Sequence, residues 1–168
     1  MMTKYLTKSS IINIFIVLII FFLDRVSKIF VISYSEKNLS TDLFFSKFLN
    51  ISLIWNEGIA FGLFSFEQSR LYDFLSIFIS FVVIVIFFMI LKNEGMKKFS
   101  LLLILGGALG NLYDRIFFRA VPDFIDFHIG NFHWFIFNVS DIFISSGVLF
   151  LIYLELINNK KDEVNEKN

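Results

Sequence analysis

The stretch LYDFLSIFISFVVIVIFFMIL occupies residues 71–91 and contains one charged side chain, Asp73. An α-helix rises about 1.5 Å per residue, so about 20 apolar residues cross the roughly 30 Å of hydrocarbon in a bilayer. Apolar runs of this length are typical of transmembrane helices and not of soluble cores. Residues 71–91 therefore predict a membrane-spanning helix, and the rest of the fold is predicted outward from it.

Three further apolar stretches lie at residues 11–34, 97–118 and 138–157. The whole chain is 57% hydrophobic with a mean hydropathy of +0.74, which is high for a soluble domain. Four crossings use up most of its length, so we expect one membrane domain over residues 1–168. The predicted fold class is an all-α membrane protein with four transmembrane helices and a small extracytoplasmic β-containing loop region between helices one and two.

The two ends of the chain resemble targeting or tail segments. Lys4 and Lys8 precede the first apolar stretch as in a secretory signal, but no small-residue cleavage site follows it. We therefore expect a retained first helix. Residues 158–168 are dominated by polar and charged side chains and predict a disordered tail.

The loop between the first two predicted helices covers about residues 35–70. Its residues 48–55 alternate between apolar and polar positions, which favours short strands lying on the membrane surface. Trp55 and Trp134 are expected at the membrane interface, where indole rings are favoured.

Lysine placement predicts the orientation of the helices, because cytoplasmic loops are enriched in Lys and Arg. Lysines cluster at both termini and in the short link between helices two and three, while the other two loops are longer and poorer in them. Both termini should therefore be cytoplasmic. The end of helix three and the start of helix four then meet at the outer face. The clustered lysines are Lys4, Lys8, Lys92, Lys97, Lys98, Lys160, Lys161 and Lys167.

Composition excludes several kinds of function. The formal net charge is zero, which provides no basic surface for nucleic acid, and the absence of cysteine removes disulfides and thiolate metal sites. His128 and His133 have no companion His or Cys at a metal-ligand spacing, so we interpret both as interfacial side chains. No metal and no cofactor are expected.

Two carboxylates are the strongest candidates for chemistry. Asp141 lies one turn inside the fourth helix, where Asn138 could serve as the N-cap and the helix dipole would favour the charge. Asp123 lies in the segment between helices three and four, among apolar neighbours. Either residue alone has a structural interpretation. Two carboxylates in a low-dielectric site share a proton, and such a pair can hydrolyse a peptide with water alone.

Helix three adds polar groups to a small-residue surface. Asn111, Asp114 and Arg115 share one helix face, and an Asp114–Arg115 pair could be purely structural. Asn111 could bind a substrate backbone. Gly106 and Gly110 form a small-residue pair that favours close helix packing.

Helix one carries charges within its apolar sequence. Asp24 and Lys28 are one turn apart and can form an ion pair, which lowers the cost of placing both in a membrane. A structural role is favoured over catalysis for this pair. Ser27 and Lys28 do not face each other on a helix and cannot act as nucleophile and base.

Five blocks of residues follow one another in order over about residues 24–147. They are Asp24-x-x-Ser27-Lys28, Asn56-x-Gly58-x-Ala60-Phe61, Gly106-Gly107-Ala108-x-Gly110-Asn111-x-x-Asp114-Arg115, Val121-x-Asp123-Phe124 and Phe137-Asn138-x-Ser140-Asp141. Together they resemble the bacterial lipoprotein signal peptidases, which are aspartyl membrane enzymes. The third and fifth blocks are the most specific.

The resemblance implies that Asp123 and Asp141 are the catalytic pair. It further implies a monomer embedded in membrane lipids that cuts prolipoproteins before a diacylglyceryl-modified cysteine. A lid is expected over residues 55–62. The residues implied to line or brace the site are Asn56, Gly58, Gly107, Asn111, Arg115, Asn138, Asp24 and Lys28.

The sequence departs from the family pattern at several positions. Ser27 replaces the usual Thr, Ser140 replaces Ala beside Asp141, Arg119 replaces Gly, and Pro122 is unusual. A hydroxyl of Ser140 donating to Asp141 would move the pH optimum downward. Arg119 and Pro122 leave the path of the chain before Asp123 open.

Two other classes of function remain as alternatives. Intramembrane Asp and Arg residues also mark proton-coupled transporters, although here the acidic groups crowd at one face. A non-catalytic membrane assembly factor would use the same carboxylates only as cap and loop residues. Cleavage of a substrate by purified protein distinguishes the peptidase from both.

Overall fold

A computed structural model describes residues 8–58 and 68–165 of the chain. Within these ranges the chain forms four helices and four strands. The helices are α1 (Lys8–Asn38), α2 (Gln68–Lys92), α3 (Gly95–Phe118) and α4 (Val139–Asn165). The strands are β1 (Asp42–Phe45), β2 (Leu49–Asn56), β3 (Val121–Ile129) and β4 (Phe132–Phe137).

Helix α3 is the centre of the helical layer and packs against the other three helices. Its membrane-length segment is 56% buried, whereas those of α2 and α4 are 11% buried. Small residues explain this close packing. A Cβ added at Gly106 would lie 2.8 Å from the Cβ of Ile20, so α1 approaches the α3 backbone directly. The predicted packing role of Gly106 is confirmed.

Among the described residues, three helical segments are long and apolar enough to cross a membrane: Tyr72–Lys92, Gly95–Phe118 and Val139–Asn158. Large apolar side chains such as Phe74 and Leu149 are 69% and 67% exposed on these helices. Continuous exposed apolar surface of this kind needs a lipid environment or a partner to cover it. The chain is therefore a helical membrane protein.

Helix α4 continues to Asn165, beyond the predicted end at Ile157. The prediction of a disordered tail from residue 158 is wrong as far as Asn165, and residues 166–168 lie outside the described part of the chain. Loss of hydropathy marks the end of a membrane span and not the end of a helix.

The four strands form one antiparallel sheet in the order β1-β2-β3-β4. The prediction of a strand over residues 48–55 is confirmed by β2. The predicted class, a helical chain with β structure between helices one and two, is confirmed in that part by β1 and β2. The prediction did not include β3 and β4. Half of the sheet comes from the link between α3 and α4, because β3 pairs with β2.

The turn from α3 into β3 depends on Arg119. This residue caps α3 in the left-handed region at φ 55°. Its guanidinium lies 2.6 Å from Asp73 and over the ring of Tyr72, with its central carbon 5.5 Å from the ring centroid. Arg119 thus adopts the conformation that glycine adopts most easily, and α2 holds its side chain.

Candidate active site

Asp123 is a strand residue in the structure, not a loop residue as the sequence suggested. It is 4% exposed on β3 and accepts two amide hydrogen bonds. The Nδ2 of Asn56 donates to one carboxyl oxygen at 2.8 Å, and the Nδ2 of Asn138 donates to the other at 2.6 Å. Burial raises the pKa of Asp123, the two amides oppose that shift, and the charge of Asp141 adds to it.

Asp141 lies in the first turn of α4 and is half-buried. The Oδ1 of Asn138 accepts the Asp141 N–H at 3.2 Å, and the Asn138 N–H donates to the Asp141 carboxylate at 3.0 Å. This reciprocal arrangement is a capping box and confirms Asn138 as the N-cap. The second Asp141 oxygen accepts a hydrogen bond from the Nδ2 of Asn111 at 2.8 Å.

Asn138 is fully buried and touches both carboxylates. Its Nδ2 donates to Asp123 while its backbone N–H donates to Asp141. The two acids come from different elements, a strand and a helix, and one asparagine ties them together. Their separation along the chain gave no direct sign of this bridge.

A buried ionic network supports the site from α1. The Nζ of Lys28 lies 2.9 Å from Asp24 and 2.7 Å from Asp114, and it donates to the Oδ1 of Asn111 at 2.8 Å. Asp24, Lys28 and Asp114 are each 0% exposed. The predicted Asp24–Lys28 ion pair is confirmed. Each buried charge has at least one opposite partner, as a low-dielectric interior requires.

Arg25 belongs to this network, although sequence reasoning gave it no role. Its guanidinium donates to Asp114 at 2.7 Å and to Asp24 at 2.9 Å, and its second terminal nitrogen lies 2.6 Å from the other Asp114 oxygen. The signal was present in the sequence. A charge within an apolar stretch is costly and needs a partner.

Asp114 does not pair with Arg115, so the suggested structural pair on helix three is wrong. Arg115 instead donates to the backbone oxygen of Asn111 at 3.1 Å, and its own carbonyl accepts from the Tyr72 hydroxyl at 3.2 Å. The Nε of Arg115 is buried and has no partner among the described residues. Its guanidinium therefore keeps donor capacity beside Asn111.

The expectation that the Ser140 hydroxyl donates to Asp141 is wrong. Ser140 is fully buried at the α3 interface, and its Oγ has no hydrogen-bond partner within the described ranges. A Cβ added at Gly110 would collide with this hydroxyl. The Ser140 N–H donates to Asp24 at 3.1 Å. Neighbouring helix positions point in different directions, which separates Ser140 from Asp141.

Two glycines shape the backbone around the site. A Cβ at Gly107 would lie 2.5 Å from the carbonyl oxygen of Ser140, so this glycine sets the approach of α3 to α4. Gly58 has a φ of +75°, and its N–H donates to the Oδ1 of Asn56 at 2.7 Å. That bond turns the Nδ2 of Asn56 toward Asp123. The predicted lid continues to residue 62, and its residues 59–62 lie outside the described part of the chain.

Two clefts open at the carboxylates. A cavity of about 340 Å³ is lined by Asn56 and Asp123 together with Trp55 and Glu57. A larger, mostly apolar cavity of about 610 Å³ runs between the β3–β4 hairpin and α4, and Asp141 lies on its wall. Other residues lining the larger cavity include Phe127, Trp134, Phe137, Ile142 and Leu149.

The structure also brings together Asp126, His128 and His133, with one ligand atom of each within 4.8 Å of the others. Spacing along the chain gave the two histidines no companion, whereas pairing of β3 with β4 places them opposite each other. Their interpretation as interfacial side chains stays a prediction. The signal available was the Gly130-Asn131 turn between two aromatic-rich segments, which favours a hairpin.

A buried protonatable carboxyl held beside a second carboxylate, at the end of two clefts in a helical membrane protein, has the chemistry of an aspartic peptidase. The signal peptidase (SPase) II family profile matches residues 16–157. The chain belongs to the signal peptidase II family, which makes it an aspartic peptidase.

Curated relatives carry the same name. The lipoprotein signal peptidase of Pelagibacter ubique (strain HTCC1062) is 49% identical over 168 residues, covering 99% of this chain and all of that protein. That of Anaplasma marginale (strain Florida) is 36% identical, covering 92% of this chain and 89% of that protein.

Solved structures show the same architecture. A bacterial membrane enzyme structure at 1.9 Å resolution matches with a TM-score of 0.75 at 27% identity, over 93% of this chain and 97% of that one. A second bacterial membrane enzyme structure, at 2.3 Å, matches with a TM-score of 0.69 at 27% identity, over 96% and 95% of the two chains.

Proposed function

We propose that this protein cuts diacylglyceryl-modified prolipoproteins before the lipidated cysteine, with Asp123 and Asp141 as the catalytic pair. Removal of the signal peptide from prolipoproteins is the activity of the family. The observation that carries the residue assignment is the Asn138 bridge, which holds both carboxyls at the clefts.

The two acids have different roles because their surroundings differ. Burial raises the pKa of Asp123, so Asp123 holds the shared proton in the resting pair. Asp141 accepts hydrogen bonds from Asn111 and Asn138 and acts as the base. The pair titrates as a unit, with macroscopic pKa values that belong to both groups.

The reaction follows from these roles. Water between the carboxyls attacks the carbonyl carbon of the scissile bond while Asp141 takes its proton and Asp123 protonates the carbonyl oxygen. The tetrahedral diol then collapses: its hydroxyl returns a proton to Asp123, the C–N bond breaks, and Asp141 protonates the departing amine. Both acids end in their starting protonation states.

The clefts suggest how the substrate lies. The larger, apolar cavity beside Asp141 suits the hydrophobic part of a lipidated signal peptide, entering sideways from the bilayer. The smaller cavity beside Asn56 and Asp123 offers polar groups for the peptide backbone. Trp55, Asn56 and Glu57, which begin the expected lid, line this smaller cavity.

The remaining site residues position the pair. Lys28 holds the Oδ1 of Asn111, so the amide nitrogen of Asn111 faces Asp141. Gly107 lets α3 and α4 approach at this level, and Gly58 orients the amide of Asn56. Arg115, whose Nε has no partner among the described residues, is the proposed donor to a substrate carbonyl beside Asn111.

The proposed topology has four membrane helices, with α1 as the fourth. Exposed apolar side chains such as Phe15 at 61% and Phe22 at 67% cover the outside of α1, and its charges are paired inside. Lysines near both termini and in the α2–α3 link favour a cytoplasmic location for these parts. A monomer in the bacterial inner membrane then has its active site near the outer leaflet.

Cleavage of a diacylglyceryl-modified prolipoprotein by purified protein, followed as a gel shift, tests this function. Asp123→Asn and Asp141→Asn keep size and polarity but cannot exchange a proton, so each should lose about a thousandfold or more in rate. Asp73→Asn is the matched control, because Asp73 is exposed and pairs only with the exposed Arg119 among described residues. Thermal melts establish that each variant is folded.

The outcomes separate the alternatives. Full activity of folded Asp123→Asn would show that the partner of Asp141 has been misassigned, and Asp126 and Asp114 would be tested next. A folded wild-type protein that does not cut this substrate would favour an assembly factor or a transporter.

A further inference from the structure

The β3–β4 hairpin holds the only two histidines of the chain, His128 and His133. They are register partners, and their rings stack with centroids 5.0 Å apart. Asp126 lies two residues before His128 on β3, and the register of β3 against β4 shifts between these two residues. One possible ligand atom from each of the three residues lies within 4.8 Å of the others.

The hydrogen bonds of these three side chains leave one buried nitrogen without a partner among the described residues. The Nδ1 of His133 lies 2.8 Å and 3.0 Å from the two oxygens of Asp126, whose side chain is 8% exposed. Asn50 donates to the same carboxylate at 3.3 Å. The Nδ1 of His128 is buried and has no hydrogen-bond partner among residues 8–58 and 68–165. A buried nitrogen without a partner is costly, and a ligand would satisfy it.

Two imidazoles and one carboxylate form a ligand set suited to Zn²⁺ and related first-row divalent ions. Bonds of about 2.0–2.2 Å to a tetrahedral ion place ligand atoms about 3.4 Å apart. The present spacing is within reach of that distance, since the His133 side chain is 52% exposed and its ring can rotate. Three protein ligands leave a coordination position for water.

We propose that Asp126, His128 and His133 bind one divalent ion of the Zn²⁺ class. Asn50 fixes the orientation of the Asp126 carboxylate from β2, as groups hydrogen-bonded to metal ligands commonly do. The cation replaces the hydrogen bond between Asp126 and His133 and uses the free nitrogen of His128.

An ion bound by these three residues links the two strands of the hairpin, and we call this link the clamp. The ion joins β3 to β4, whose Phe127 and Phe137 line the larger cavity beside Asp141. Of the three proposed ligand residues, His128 itself lines this cavity. The clamp therefore stiffens the cavity wall. None of its three ligands belongs to the proposed catalytic pair, so peptide cleavage itself continues in a strong chelator.

Zn²⁺ titration by calorimetry tests the site on full-length detergent-solubilised protein from which any histidine tag has been removed. Wild type is expected to bind one ion per chain, and His128→Gln and His133→Gln to bind at least tenfold more weakly. Glu36→Gln is the matched control, because Glu36 is an exposed carboxylate on α1. Zn²⁺ should raise the melting temperature of wild type and of Glu36→Gln but not of the two histidine variants.

Cu²⁺ provides a second test that needs no variant. Electron paramagnetic resonance of wild type with one equivalent of Cu²⁺ should show hyperfine coupling to two imidazole nitrogens, which an all-oxygen surface site lacks. Absence of saturable Zn²⁺ binding, binding unchanged in both histidine variants, or a spectrum without imidazole coupling would each overturn the proposal.

Discussion

The Nζ of Lys28 donates to the Oδ1 of Asn111 at 2.8 Å, and the Nδ2 of the same amide donates to Asp141 at 2.8 Å. An asparagine amide could otherwise present either its oxygen or its nitrogen to a carboxylate. The lysine on α1 therefore determines which face of Asn111 meets α4. Through this contact the ionic network supports the catalytic pair.

Lys28→Met should destabilise the protein strongly. It leaves the buried Asp24 and Asp114 with Arg25 as their one remaining charged partner in the described structure, and breaking a buried ion pair costs about 3–5 kcal/mol. Thermal and denaturant unfolding in detergent measure the loss.

Lys97→Met is the control for that change. Lys97 also pairs with a carboxylate, Glu155, but both side chains are substantially exposed, so the cost should be at most about 1 kcal/mol. Equal effects of the two substitutions would contradict the view that Lys28 is an essential buried charge.

Asp123 should make stability depend on pH. Because burial raises its pKa in the folded state, the folded protein holds this proton over a pH range where the unfolded chain has lost it. The stabilisation contributed by protonated Asp123 is therefore fully present at pH values below its pKa in the unfolded chain. It is lost as the pH rises through its pKa in the folded protein. Asp123→Asn removes the dependence.

The melting temperature of Asp123→Asn relative to wild type should accordingly increase from acid to neutral pH. Asp73→Asn, at an exposed position, should show no such trend. A difference between Asp123→Asn and wild type that stays constant with pH would argue against a raised pKa.

Gly107→Ala should reduce activity more than stability. The new methyl group would meet the Ser140 carbonyl at 2.5 Å and Ile144 at 2.9 Å, pushing α4 away one residue before Asp141. Overpacking of this kind costs about 1–3 kcal/mol. Initial cleavage rates and thermal melts give the two quantities.

Gly147→Ala is a matched control on the same interface. Its methyl group would meet Ile104 at 2.6 Å and the Ser100 carbonyl at 2.7 Å, nearly two turns along α4 from Asp141. This variant should lose similar stability but retain most of its cleavage rate. A similar loss of rate in both variants would mean that the effect is general and not local to the pair.

Ser140→Ala should leave the pH profile unchanged and should be neutral or stabilising by about 1 kcal/mol. The hydroxyl is buried without a partner in the described structure, and burying an unsatisfied polar group costs free energy. Comparison of the pH–rate profiles of wild type and Ser140→Ala measures any shift of the pH optimum. A shifted pH optimum would restore the interpretation in which Ser140 acts on Asp141.

Arg119→Gly should be more stable than Arg119→Ala by about 1 kcal/mol. Both substitutions remove the contact with Asp73, but alanine must still adopt the left-handed conformation at φ 55°. Melting of the two variants isolates the backbone contribution, and equal stabilities would show that the turn relaxes without cost.

Local patterns in the sequence accounted for much of the fold. Apolar length predicted membrane helices such as residues 71–91, because a bilayer imposes a fixed thickness on any helix that crosses it. The spacing of Asp24 and Lys28 predicted an ion pair, and Asn138 before Asp141 predicted a cap. The ion pair and the cap each join two residues that lie about one helical turn apart.

Contacts between distant segments were decided only by the tertiary structure. Pairing with β2 turned the segment around Asp123 into a strand, and pairing of β3 with β4 brought His128 to His133. The Asn138 bridge and the place of Arg25 beside Asp114 likewise require separate elements to meet. Hydropathy and spacing describe single segments, whereas strand pairing and buried charge neutralisation are satisfied only when the segments pack together.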